Sequence, residues 1–223
     1  MRTASRRAAI LLLGVQSLVG SGCGSPGAVY NERGIEYAKR GETDRSLEQF
    51  DKAVEADPTV SDHFMNRGLA YYLLGQHRRA LADLDQAIKL DPANARAYMN
   101  RGNVYDDLGE RDRAIEDYSQ ALRLEPNHPG PYRNRAVANI RRGDDQSALA
   151  DLDRAIALDP AYTAAYLTRA CLYSALQRAD RAAIDYAKAR ELAPNRVPEL
   201  TGSASVAEVS CRSLGGVPTR IMR

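Results

Sequence analysis

The sequence predicts an all-α fold, an array of five two-helix repeats with a period of 34 residues. Three observations carry this. Shifted by 34 positions against itself, the chain superimposes Pro58, Pro92, Pro126, Pro160 and Pro194, and it superimposes Gly34, Gly68 and Gly102 with Ala136 and Ala170. A strict period of this length marks stacked copies of one supersecondary element. Within each copy an aromatic, a small residue and a second aromatic follow one another, as in Phe64, Gly68 and Tyr71; those spacings share one helical face. Each copy is punctuated by a glycine near its middle and by a proline at its end, both of which stop helices.

Taken in order, the chain opens with residues 1–22, which have a basic start, an apolar run from Ala8 to Val19 and the small residues Gly20, Ser21 and Gly22 before Cys23. That is the layout of an export signal, and the apolar run is too short for a membrane span. The junction resembles the lipobox of bacterial lipoproteins, with Gly20 where Leu is usual. The resemblance implies cleavage before Cys23 and lipidation of Cys23, with the several acyl chains such proteins carry holding the mature chain at a membrane.

After a short linker, 23–26, the repeats span 27–60, 61–94, 95–128, 129–162 and 163–196. The first helix of each carries Tyr30, Phe64, Tyr98, Tyr132 or Tyr166, then the Gly or Ala, then Tyr37, Tyr71, Tyr105, Asn139 or Tyr173. The small residue lets another helix approach closely. Gly41, Gly75, Gly109 and Gly143, with Gln177 in the fifth repeat, stand where a left-handed residue ends that helix. The second helix runs through Ala80, Leu84 and Ala87 in repeat two, and through Ala114, Tyr118 and Ala121 in repeat three. Helices of roughly a dozen residues are not stable alone in water, so stacking must hold them. Its outward face is apolar in the first four repeats (Leu81 and Ile88 in the second) but has Ala183 and Arg190 in the fifth, as expected of a solvated terminal repeat. The tail, 197–223, contains helix-breaking Pro198, Gly202, Gly215, Gly216 and Pro218; it is expected to be partly disordered, with a short helix over 204–214.

This pattern resembles the tetratricopeptide repeat family across residues 27–196. The resemblance implies antiparallel helix pairs wound into an α-α superhelix, a right-handed solenoid, whose leading helices line a concave groove that binds peptide segments or protein helices. Asn139 for Tyr, Ser46 for Ala and Gln177 for Gly are local departures.

Arg33, Arg67, Arg101, Arg135 and Arg169 recur at the seventh place of the repeats. Sixteen residues on, across each hairpin, stand Gln49, Asp83, Asp117, Asp151 and Asp185. Four repeats thus offer a structural ion pair: Arg67 with Asp83, Arg101 with Asp117, Arg135 with Asp151 and Arg169 with Asp185. Asn66, Asn100 and Asn134 recur at the sixth place, turned away from the aromatic face, where a ladder of amides could hold a peptide backbone or could bond to neighbouring helices. Met65, Leu69 and Leu73 form the expected apolar seat, with Arg96, Asn103 and Arg133 as polar groove residues. The carboxylate clamp of some family members needs Lys, Asn and Arg at set places. Only Asn66 with Arg96 matches, so recognition of a C-terminal carboxylate is not expected.

No catalytic set is evident. His63, His77 and His128 occupy unrelated places without ligand spacing, so no metal is expected and each reads as a surface or capping residue. There is no phosphate loop or nucleophile elbow, and no cofactor is expected. Of 31 basic and 29 acidic residues, Arg2, Arg6 and Arg7 fall in the leader; the near-neutral remainder gives no footprint for nucleic acid. Cys171 and Cys211 could bridge in an oxidising compartment. The function expected is that of an exported scaffold or adaptor in a bacterial cell envelope, anchored through Cys23 and facing the periplasm or cell exterior, which binds protein or peptide partners and is not an enzyme. The alternative is a self-associating structural lipoprotein, a homo-oligomer.

Overall fold

The computed structural model describes residues 25–195 and 197, and the described residues form helices and no strands. The leader, Cys23, the tail segment 204–214 and Cys211 lie outside them. The helices come in consecutive pairs: α1 (Pro26–Lys39) with α2 (Thr43–Ala56), α3 (Ser61–Leu73) with α4 (His77–Leu90), α5 (Ala95–Asp107) with α6 (Arg111–Leu124), α7 (Pro129–Arg142) with α8 (Asp145–Leu158), and α9 (Thr163–Ala175) with α10 (Ala179–Leu192). The chain divides into two compact units, one ending at Leu108 and one beginning at Gly109.

Local chemistry sets the helix ends. Ser25, Asn94 and Asp144 accept hydrogen bonds from the backbone N–H groups of Ala28, Ala97 and Ser147, which the first turn would otherwise leave unsatisfied. His128 caps α7 by accepting from Gly130 N at 3.0 Å. Pro26 and Pro129 occupy the first turn, where a missing N–H costs nothing. Gly41, Gly75, Gly109 and Gly143 take φ of 76°, 73°, 80° and 94°, and Gln177 is held at 58° in the same role.

In the N-terminal unit, α1, α3 and α5 lie side by side, with α2 and α4 packed behind them. Gly34 is needed for close approach: a Cβ there would stand 2.5 Å from Cε1 of Phe50, so α1 meets α2 through the bare backbone. Ser46, which replaces the usual Ala, is buried and donates to the Gly34 carbonyl at 2.8 Å, so its hydroxyl is satisfied. Met65, Ala80, Leu84, Ala87, Ala97 and Val104 form the core of this unit.

In the C-terminal unit, α7 and α9 are adjacent, and α6, α8 and α10 pack against them. Ala136, Ile140, Leu152, Ala165, Cys171 and Leu172 share one core. Asn139, where the pattern asks for an aromatic, is buried with its Oδ1 accepting from Arg142 at 3.1 Å. At the last hairpin Val197 packs with Tyr166, Ala170, Tyr186 and Ala189, while Ala183 and Ile184 on α10 stand exposed.

Candidate functional site

A notch opens between α1 and α3. Ile35 and Ala38 from α1 and Leu69 and Leu73 from α3 supply apolar walls, with Phe50 of α2 and Asn66 of α3 also lining it. Arg96, one helix further along on α5, lines the same notch. Among the described residues no carboxylate or carbonyl pairs with its guanidinium. Four of the groove residues read from the sequence, Asn66, Leu69, Leu73 and Arg96, are thereby brought together. Leu69, Asn66 and Phe50 are themselves buried, so the depression is shallow, with Leu73 at its surface beside the Arg96 guanidinium.

Two asparagines of the ladder take the neighbour-bonding role that the sequence left open beside peptide binding. Asn66 is buried and donates through Nδ2 to Asn31 Oδ1 at 2.8 Å. Asn100 is likewise buried, with its Nδ2 3.4 Å from the sulfur of Met65. Both amides therefore tie a leading helix to the preceding one, the second of the two roles weighed for them. Met65 is 0 % exposed and belongs to the core, so it forms no part of an open seat. Its place on α3 faces Asn100, and no solvent-facing wall remains for it. Asn103 is also buried. In the C-terminal unit Arg133 reaches across from α7 to α9, its Nε 3.2 Å from Thr168 Oγ1, and its other nitrogen lies 3.4 Å from Asn134 Oδ1.

Three of the seventh-place arginines, Arg67, Arg135 and Arg169, grip a carboxylate with two nitrogens. Arg67 donates through Nε and its terminal nitrogen to the two oxygens of Asp83 at 2.7 and 2.8 Å. Arg135 grips Asp151 at 2.9 and 2.7 Å, and Arg169 grips Asp185 at 2.7 Å through both nitrogens. These hydrogen bonds raise the three guanidinium pKa values further above their usual range. In the N-terminal unit Arg101 holds Asp85 at 2.7 Å, and in the C-terminal unit Asp117 is buried.

A second set of partners was missed by sequence reasoning. Arg67 also bonds Asp51, Arg135 bonds Ser119 and Arg169 bonds Asp153, each on the second helix of the preceding repeat. The signal was present in the sequence, sixteen residues before each arginine as well as after it. The aromatics flank the same cations: Arg67 lies 5.6 Å from the Phe64 ring centroid and 5.9 Å from that of Tyr71.

His63 is neither at the surface nor a cap; it is buried, with Nδ1 3.1 Å from the Asp57 carbonyl. Among the described residues no cluster of His, Cys, Asp and Glu could hold a metal ion, and no helix is long and apolar enough to cross a membrane. Cys171, almost fully enclosed, is disulfide-bonded.

Tetratricopeptide repeat profiles match residues 28–60, 68–109, 95–128 and 163–196, together more than half of the chain. No curated protein sequence matches it. Among solved structures, it resembles a thermophilic tetratricopeptide protein of Thermus thermophilus, with TM-score 0.68 and 23% identity over 76% of this chain and 92% of that one. It also resembles PilF of Pseudomonas aeruginosa, with TM-score 0.69 and 19% identity over 74% and 76% of the two chains. A third similar structure is YrrB, described as having an unusual peptide-binding site, with TM-score 0.57 and 19% identity over 74% and 86%. Identities this low carry the fold.

Proposed function

Because the chain belongs to the tetratricopeptide repeat family, we propose that it is an interaction scaffold that binds a segment of another protein against α1, α3 and α5. Leu73, with Ile35 and Ala38, contacts an aliphatic side chain, and Arg96 pairs with an acidic group near it. The observation that carries this reading is the apolar notch with an unpaired guanidinium on its wall. A cation left without a protein partner beside an apolar surface gains most when a ligand supplies the carboxylate. The peptide-binding site described for YrrB, on a related fold, supports the class of ligand.

The setting we propose is the bacterial envelope, with the mature chain held at a membrane through lipid on Cys23. Two independent features support export. One is the leader layout of residues 1–22 ending at Gly22-Cys23. The other is the disulfide at Cys171, a bond that persists in oxidising compartments and is rare in reducing ones.

Affinity capture from the native envelope with wild-type, Leu73→Asp and Arg96→Glu protein, read by mass spectrometry, tests the scaffold role. Partners retained by wild type and lost by both variants are expected; an identical set from all three contradicts it. The intact mass of the mature chain tests the anchor, which predicts an acylated Cys23 as first residue. A second reading, self-association through α10, is favoured by Ile184, which is 68 % exposed. Light scattering over a concentration series separates the two, since self-association predicts a mass that rises with concentration and falls in Ile184→Asp.

A further inference from the structure

Neither α7 nor α9, the leading helices of the C-terminal unit, contains an aspartate or a glutamate, yet both carry arginines. Arg135 and Arg169 grip Asp151 and Asp185 on the second helices, Arg142 meets Asp112 and Asp144, and Arg141 is also engaged. Arg133 differs from them. Among the described residues it meets no carboxylate: its Nε donates to the Thr168 hydroxyl at 3.2 Å, and its Nη1 lies 3.4 Å from Asn134 Oδ1. The Nη2 end of the fork is left without a protein acceptor. Arg133 is half-buried, and its direction is fixed, because Thr168 is 0 % exposed and is itself held by donating to the Ala164 carbonyl at 2.8 Å. The Tyr162 phenol stands within reach of the same charge. Burial pushes its pKa up, the Arg133 guanidinium draws it down and the Asp159 carboxylate raises it, so at neutral pH the hydroxyl keeps its proton and can donate. That hydroxyl has no hydrogen-bond partner among the described residues, and Asp159 is turned to the Ala161 N–H at 2.9 Å.

We propose that the α7 and α9 side of the C-terminal unit binds an acidic segment of the partner protein, with a carboxylate seated on Arg133 and Tyr162. A guanidinium that is partly dehydrated, aimed in advance and without a counter-ion gains most when a ligand supplies two oxygens to its fork. Charge complementarity selects the occupant, since leading helices without a carboxylate of their own attract an acidic chain and do not repel it. The seat shares no residue with the notch of the N-terminal unit. It deepens the scaffold reading, on which it rests for the source of the acid, by naming the chemistry the partner must bring to α7 and α9.

Anisotropy of a fluorescein-labelled peptide of alternating glycine and aspartate, titrated with the full-length chain, tests the seat, with a glycine–asparagine peptide as the neutral control. The aspartate peptide is expected to bind and its asparagine counterpart is not. Arg133→Gln is expected to weaken binding about tenfold and Tyr162→Phe about threefold, with Arg133→Lys falling between wild type and Arg133→Gln. Arg154→Gln, at an exposed arginine on α8, is expected to change nothing. Each loss should persist when Arg96→Glu removes the cation of the notch. An aspartate peptide that does not bind, equal affinity of wild type and Arg133→Gln, or a loss seen only with Arg96→Glu would overturn the inference and leave the scaffold reading standing. Displacement of the peptide by a single-stranded oligonucleotide whose own binding depends on Arg133 would overturn the assignment to an acidic protein segment. Envelope capture with Leu73→Asp and Arg96→Glu tests the scaffold reading separately, so the two can fail independently.

Discussion

Arg67 and Asp51 belong to different hairpins, and their side chains meet at 3.1 Å while the same guanidinium holds Asp83 of its own hairpin. One cation thus joins the second helices of two consecutive repeats. Arg169 does the same with Asp153 and Asp185. The two contacts of Arg67 differ in burial: Asp83 is 10 % exposed and Asp51 43 %.

That difference predicts unequal costs. Asp83→Ala leaves the largely buried Arg67 guanidinium with only its half-exposed contact to Asp51 and is expected to destabilise by about 3 kcal/mol, whereas removing both charges as Arg67→Met with Asp83→Leu costs far less. Asp51→Ala loses a screened contact worth about 0.5 kcal/mol. Urea unfolding of the variants checks the order; equal midpoints for Asp83→Ala and the paired replacement would contradict it.

Gln177 occupies the left-handed turn that glycine fills in the four preceding repeats, with φ of 58°. Gln177→Gly is expected to stabilise the protein by about 1 kcal/mol, since the Cβ conflict with the following carbonyl disappears. Gly75→Ala is expected to cost about as much. Thermal unfolding of the two variants should move Tm in opposite directions.

Gly34→Ala places a methyl against the Phe50 ring, which is enclosed and has little room to withdraw. A loss of about 1–3 kcal/mol is expected. Pairing it with Phe50→Leu should recover part of that loss, and no recovery in denaturant titrations would show that the contact is not what limits this position.

The Asp144 carboxylate is held below its ordinary value of 3.8, first by the backbone N–H of Ser147 and then by its hydroxyl. The folded state therefore favours the charged form. Its contribution is complete above the unfolded value and is lost as pH falls through the lower, folded one. The Tm difference between wild type and Asp144→Ala should be largest near about pH 6 and shrink below about pH 3; a difference independent of pH would contradict the cap.

The helical pairs were legible in the sequence because each rests on a local rule repeated five times: the spacing of Phe64, Gly68 and Tyr71, the left-handed glycines and the terminal prolines. The site was legible only in part. Leu69 and Leu73 could be assigned to one side of the array from helical spacing, and Arg96 from the family resemblance. The fate of Asn66 and Asn100 could not, because an amide turned from its own core face can meet either solvent or the helix before it. Which it meets depends on how far α1, α3 and α5 stand apart, and that distance is set by packing rather than by local pattern. Met65 shows the same limit, since its burial comes from the neighbouring helices. The backward contacts of Arg67, Arg101, Arg135 and Arg169 went unread because pairing was sought only forward along the chain.

The most direct test of the account is photocrosslinking from the notch in intact envelopes. A benzophenone amino acid at position 73 should form adducts with a discrete partner, and those adducts should vanish when Leu69→Asp or Arg96→Glu is added, while the same probe at exposed Ala82 gives none of them. Adducts that are the same from positions 73 and 82, or that persist in both variants, would contradict binding at the notch.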